Sequence, residues 1–137
     1  MRNILVDTGA IIGLLNPVDR FHKKAQTFFA ELRGTDRLST TWPVVTECMF
    51  ALIRNRDALF DWLSAGAVEL VDFQVDDLRS MKRWMDRYSD RDVDFADASL
   101  VWLATKKQTN LIATTDFNDF ETYRLPNRKA FKNLIER

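Results

Sequence analysis

A chain of 137 residues, 46% hydrophobic and 29% charged, has the size and make-up of one globular domain over 1–137 with a single core. Twenty basic residues balance twenty acidic ones, which excludes a globally basic nucleic-acid binder and offers little charge repulsion against self-association. No apolar run approaches the roughly 18 residues of a membrane span. Met1-Arg2-Asn3 does not open a signal peptide, and the single cysteine, Cys48, excludes an internal disulfide, so the expected address is the cytoplasm with no membrane partner.

Asn3-Ile4-Leu5-Val6 reads as a short buried strand ended by the turn Asp7-Thr8-Gly9. Ala10 to Leu15 is a short helix stopped by Asn16-Pro17. Residues 19–33 form a second helix with Phe21, Ala25, Phe28, Phe29 and Leu32 on one side, and Leu38 to Thr41 a second strand. Pro43 suits the first turn of a helix running to about Ile53, where its missing N–H is not needed. A further helix covers Ala58–Ser64, and Ala67–Phe73 alternates as a third strand. Asp76-Asp77 opens an amphipathic helix to about Tyr88, with negative charge where the helix dipole favours it. The next helix runs from the Val93-Asp94 region to about Lys107, and Leu111–Thr114 is a fourth strand. Beyond Phe117 the pattern loosens; a short edge strand near Tyr123-Arg124-Leu125 and a helical turn over Arg128–Ile135 complete it. Alternating strands and helices predict an α/β fold, a central mostly parallel sheet of four or five strands flanked by helices.

In such a sheet the ligand crevice lies at the carboxyl ends of the strands. Asp7 ends the first strand, Asp116 follows the fourth, and Asp94 and Asp97 open the helix that feeds the fourth. Aspartate is also a favoured N-cap, so each of these acids is either a cap or a ligand. Glu47 is harder to assign to a cap. It sits mid-helix with Val44, Phe50 and Ala51 at helical spacing, on what reads as an apolar stripe. A buried acid needs a partner: an arginine, or a cation shared with other carboxylates. Oxygen-only donors of this kind suit Mg²⁺ or Mn²⁺.

The motifs Ile4-Leu5-Val6-Asp7-Thr8-Gly9, Thr46-Glu47, Phe95-Ala96-Asp97-Ala98-Ser99-Leu100-Val101 and Ala113-Thr114-Thr115-Asp116-Phe117 resemble, in order and spacing, those of the PIN-domain family. Within it they resemble the VapC-type toxins of toxin–antitoxin pairs. The resemblance implies a PIN-like fold and an Mg²⁺- or Mn²⁺-dependent endoribonuclease. Its acidic quartet would be Asp7, Glu47, Asp97 and Asp116, with Asp7 and Asp97 the firmest ligands. Asp94 is then a cap or an outer acid, and Thr8 and Thr115 supporting hydroxyls. The family also implies an RNA substrate, a cognate antitoxin and a homodimer.

Other chemistries lack parts. His22 is the only histidine and reads as a surface residue, and Cys48 has no histidine beside it, so nucleophilic triads and zinc sites are incomplete. Candidate phosphate contacts are Arg20, Lys23, Lys24, Arg54, Arg56, Arg124, Arg128, Lys129 and Lys132. The tryptophans Trp42, Trp62, Trp84 and Trp102 read as core or interface residues, with Phe60 and Trp62 on a possible partner surface. Two rivals remain: a receiver-like phosphoacceptor using Asp72 at the end of the third strand, and an inactive PIN-fold binding module.

Overall fold

Ile4, Leu5 and Val6 are wholly buried, as a parallel strand covered on both faces must be. They form β1 (Asn3–Val6), the middle strand of the sheet. The computed structural model describes residues 1–137. After β1 come α1 (Thr8–Leu15), α2 (His22–Ala30), β2 (Arg37–Thr41), α3 (Trp42–Ala51), α4 (Arg56–Ser64) and β3 (Val68–Val71). Then follow α5 (Leu78–Asp86), α6 (Phe95–Lys107), β4 (Leu111–Ala113), α7 (Phe117–Thr122) and β5 (Lys132–Asn133).

All five strands are parallel, in the order β3-β2-β1-β4-β5. The chain steps from β1 to β2 and β3 on one side, then returns to β4 on the other. The topological switch therefore falls between β1 and β4, and the crevice opens where those two strands end. Leu5 pairs with Ser39 on one side and Ile112 on the other.

α6 is the central helix. Ala96, Ala98 and Ser99 are buried, their short side chains allowing the backbone close to the sheet. Ser99 Oγ lies 2.6 Å from Thr41 Oγ1 on β2. Asp94 caps the N-terminus through Asp97 N–H at 2.8 Å, and Gln108, at φ 53°, ends the helix in the left-handed conformation. Pro43 stands in the first turn of α3, as its fixed φ favours. No helix is long and apolar enough to cross a membrane.

The tail differs from the expected pattern. Residues 117–122 are helical, capped by Asp116. Arg124 makes only an isolated antiparallel bridge to Ala130, and the fifth strand lies at Lys132–Asn133. No helix forms over 128–135, because these backbone groups complete the open edge of β4: Lys132 N–H donates to Asn110 O and Leu134 N–H to Ile112 O, both at 2.8 Å. The receiver-like rival also falls here. Its fold places β3 beside β1, whereas β3 is the far edge strand and Asp72 stands exposed beyond its end.

Candidate active site

The first acid is placed by β1. Asp7 directly follows Val6, is 5% exposed, and caps α1 by accepting from Thr8 N–H at 2.7 Å. Its other oxygen accepts from Thr114 Oγ1 at 2.7 Å. Thr114 follows β4, so this bond spans the switch point. The Thr114 hydroxyl also accepts from Asp116 N–H at 3.0 Å, linking the two acids at the strand ends. Asn133 on β5 fixes Thr114 in turn, accepting from its N–H at 3.1 Å and donating to its carbonyl at 2.9 Å.

Glu47 reaches the same place from α3. Thr8 Oγ1 donates to Glu47 Oε1 at 2.6 Å. The stripe expected around Glu47 is not buried: Phe50 is 79% exposed and Ala51 is exposed, while Val44, Val45, Cys48 and Leu52 form the core side. Glu47 sits at the border of that side and is half-buried. It has no arginine or lysine in ion-pair range, so the salt-bridge explanation for its burial does not apply.

Asp97, 6% exposed, is held by a donor absent from the sequence reading: Tyr123 OH, at 2.8 Å from Oδ2. Tyr123 is 1% exposed and packs edge-on against Trp84, Tyr88 and Phe120. Burial and the Asp97 charge hold its phenol well above the usual range, so it remains a donor. Asp116 is exposed and caps α7, its Oδ1 accepting from Asp119 N–H at 3.4 Å. Asp119 is a further acid that the sequence reading passed over. Ligand oxygens of Asp97, Asp116 and Asp119 lie within 4.8 Å of one another.

Electrostatics follow from burial and crowding. Burial pushes the Asp7 carboxyl up to about 7; the Thr114 and Thr8 hydrogen bonds oppose this, and the Glu47 and Asp116 charges add to it. Asp97 is raised by burial, then by the charges of Asp7 and Asp94. Glu47 is raised by burial and by Asp94, which lies close to it, and Asp116 by burial and by Asp119. One cation enters the group: Arg91 pairs with Asp119 at 2.9 Å. Carboxylates crowded in this way repel one another until protonated or joined by a cation, and an all-oxygen donor set fits Mg²⁺ or Mn²⁺.

The remaining expectations divide. Thr115 makes no hydrogen bond to an acid; Thr114 takes that part, and Thr115 packs over Gly9, where a Cβ would collide with Thr115 Oγ1. Asp94 is a cap that also stands against Glu47. Cys48 is fully buried and its thiol is pushed up to about 12 by burial, which suits a core residue. His22 is half-buried, its Nδ1 2.6 Å from the Gly13 carbonyl. Trp84 is core and Trp62 stacks edge-on against Phe29, but Trp42 is 48% exposed at the head of α3. It lines a hollow of about 500 Å³ with Glu47, Asp94 and the half-exposed Phe95. Lys24 is turned to the Glu136 carbonyl, and the Arg124 guanidinium to carbonyls at the end of α7.

Comparison with known proteins agrees with this geometry. The PIN domain family profile matches residues 4–125. No curated protein matches the sequence significantly. Among solved structures, the fold is similar to that of VapC20 from Mycobacterium tuberculosis, described as a toxin that cleaves the sarcin–ricin loop. The TM-score is 0.71 at 23% identity, over 85% of this chain and 93% of that one. A family match across so much of the sequence means that the chain belongs to the PIN-domain family.

Proposed function

We propose that this protein is a metal-dependent endoribonuclease, the toxin of a VapBC-type pair, hydrolysing RNA phosphodiester bonds at the acidic crevice. The observation that carries the reading is the convergence of Asp7, Glu47, Asp97, Asp116 and Asp119 on the switch point, with a single arginine among them. Asp7 and Asp97 would hold Mg²⁺ or Mn²⁺ most directly, supported by Glu47, Asp116 and Asp119. The bound cation would polarise a phosphoryl oxygen and lower the pKa of water.

The chain's own groups supply orientation. Thr114 and Thr8 N–H fix both oxygens of Asp7, Tyr123 fixes Asp97, and Thr8 Oγ1 fixes Glu47, so the carboxylates are set before substrate arrives. In this reading Asp116, which is exposed, and Glu47, which is half-buried, would hold the metal through waters or orient the attacking water. Trp42 and Phe95 offer faces on which a base beside the scissile bond can stack. A cytoplasmic homodimer restrained by a cognate antitoxin belongs to the same reading, by likeness to VapC-type toxins.

The test is sequencing of RNA ends after brief induction of wild type and Asp97→Asn. New ends that appear only with wild type, and need Mg²⁺ or Mn²⁺ when reproduced with purified protein, are expected. Identical profiles for both proteins, with no cleavage of any RNA pool in vitro, would leave an inactive PIN-fold binding module.

A further inference from the structure

The protein is neutral only in sum. Residues 78–91 and 124–132 hold nine of the twenty basic side chains and two of the twenty acidic ones, Asp86 and Asp90. These stretches lie together: Trp84 Nε1 donates to Arg124 O at 2.8 Å, and Arg124 N–H donates to Tyr88 OH at 2.7 Å. Within the first stretch arginine recurs every four residues, at Arg79, Arg83, Arg87 and Arg91. Along α5 the step from Arg79 to Arg83 rises about 6 Å and keeps to one face; Arg87 is the C-cap of that helix and Arg91 stands in the turn beyond it. That step is comparable with the separation of consecutive phosphates along a single strand.

Arg79, Arg83 and Arg87 are exposed and take part in no ion pair, while the nearby Asp86 is already paired with Lys82 at 2.7 Å. Arg83 and Arg87 line a groove of about 470 Å³ with Ser80, Trp84, Pro126 and Asp86, the last held by Lys82. Arg91 ends the row at the acidic cluster, pairing with Asp119 and lying 5.8 Å from the centre of the Tyr123 ring.

We propose that this ridge is the track of the RNA backbone, with Arg79, Arg83 and Arg87 each meeting a phosphate and Arg91 leading the strand onto the carboxylates. The inference rests on the nuclease reading for the identity of the polyanion. A row of exposed, unpaired guanidinium groups along α5 and its C-cap fits a repeating phosphate chain better than an acidic peptide, whose carboxylates are irregularly spaced.

The experiment measures binding of a fluorescein-labelled single-stranded RNA of mixed sequence by anisotropy, across a salt series. The parent is Asp97→Asn, which binds without cutting. Adding Arg79→Gln, Arg83→Gln and Arg87→Gln should weaken binding about tenfold or more and lower the salt slope by about 2. Lys106→Gln, an exposed cation at the far end of α6, should change little. The arginine triple in an otherwise wild-type protein should keep the Mn²⁺-induced rise in melting temperature, showing that fold and acids are intact. Unchanged affinity and slope in the triple, or no RNA binding by the parent, overturns the proposal. So does an acidic peptide that depends on the three arginines when RNA does not. Wild type that binds through the ridge yet cuts nothing sinks only the nuclease reading. A triple that cuts with unchanged KM sinks only the ridge.

Discussion

Asp7→Asn tests the electrostatic account of the crevice most directly, because the expected change in stability runs against intuition for an active-site residue. Asp7 is buried, and its carboxyl is pushed up to about 7 by that burial. In the unfolded chain the same group titrates near 3.9. A folded-state pKa above the unfolded one gives stability that is complete below the unfolded value and lost as pH rises through the folded value. At pH 8 in EDTA the ionised Asp7 therefore costs about 4 kcal/mol, and at pH 5 only about 1.5 kcal/mol, at 1.36 kcal/mol per unit.

Asparagine keeps the shape and carries no charge. Its amide can still accept from Thr8 N–H and donate to Thr114 Oγ1, so about 1 kcal/mol is lost through altered hydrogen bonding. The variant should be more stable than wild type at pH 8 by about 3 kcal/mol, close to 10 °C in melting temperature for a domain of this size. The advantage should shrink by about 2.5 kcal/mol on going to pH 5. Relief of Asp97, which feels the Asp7 charge, acts in the same direction. Thermal melts over pH 5–8 with EDTA read this directly. With Mn²⁺ at about 100 times Kd, wild type should gain about 2.7 kcal/mol while Asp7→Asn gains almost nothing. A variant less stable than wild type at pH 8 in EDTA, with a gap that ignores pH, would refute the reasoning.

Two further outcomes follow from individual contacts. Tyr123→Phe keeps the buried ring but removes the donor to Asp97, so Mn²⁺ affinity by calorimetry should fall about 10- to 100-fold, with near-UV dichroism of the aromatic cluster retained. Trp42→Ala should cost about 1–3 kcal/mol of RNA binding in the Asp97→Asn parent while leaving the Mn²⁺-induced thermal shift intact in the otherwise wild-type chain. Equal loss of both would show that Trp42 supports the fold.

The sheet was legible in the sequence because β1 and β4 are short, mostly apolar runs ended by polar turns, the usual appearance of a parallel strand buried on both faces. The boundaries at Pro43, Asp94 and Lys107 were legible through capping chemistry. The tail was not. β5 is two residues long and gains its amide partners from the edge of β4, which no local pattern announces. Tyr123 and Asn133 were missed for the same reason. Each acts across a long sequence separation, and tyrosine and asparagine are ordinary residues until a carboxylate or a strand end lies opposite. The stripe around Glu47 misled because Phe50 and Ala51, apolar at the correct spacing, lie outside the packed face.

Asp119 did have a signal, and it bears on what the helix heads are for. The chain contains Asp-Phe-x-Asp twice, at Asp94–Asp97 and at Asp116–Asp119. In both copies the first aspartate caps a helix by accepting from the N–H of the second, at 2.8 Å and 3.4 Å. In both, the second stands in the first turn, where spacing of three residues keeps it on the same side as its cap. Cap and ligand are thus not competing roles. The cap fixes where the helix begins, and the start of the helix fixes where the second carboxylate points. Asp7 heads α1 too, accepting there from the N–H of the next residue, Thr8, so three helices begin at the crevice with aspartates at their heads. The peptide dipoles of those first turns partly offset the negative charge gathered there. Reading Asp94 as structure and Asp97 as chemistry separated a pair that works as one unit: Asp94→Ala should disturb the placement of Asp97 as well as the end of α6.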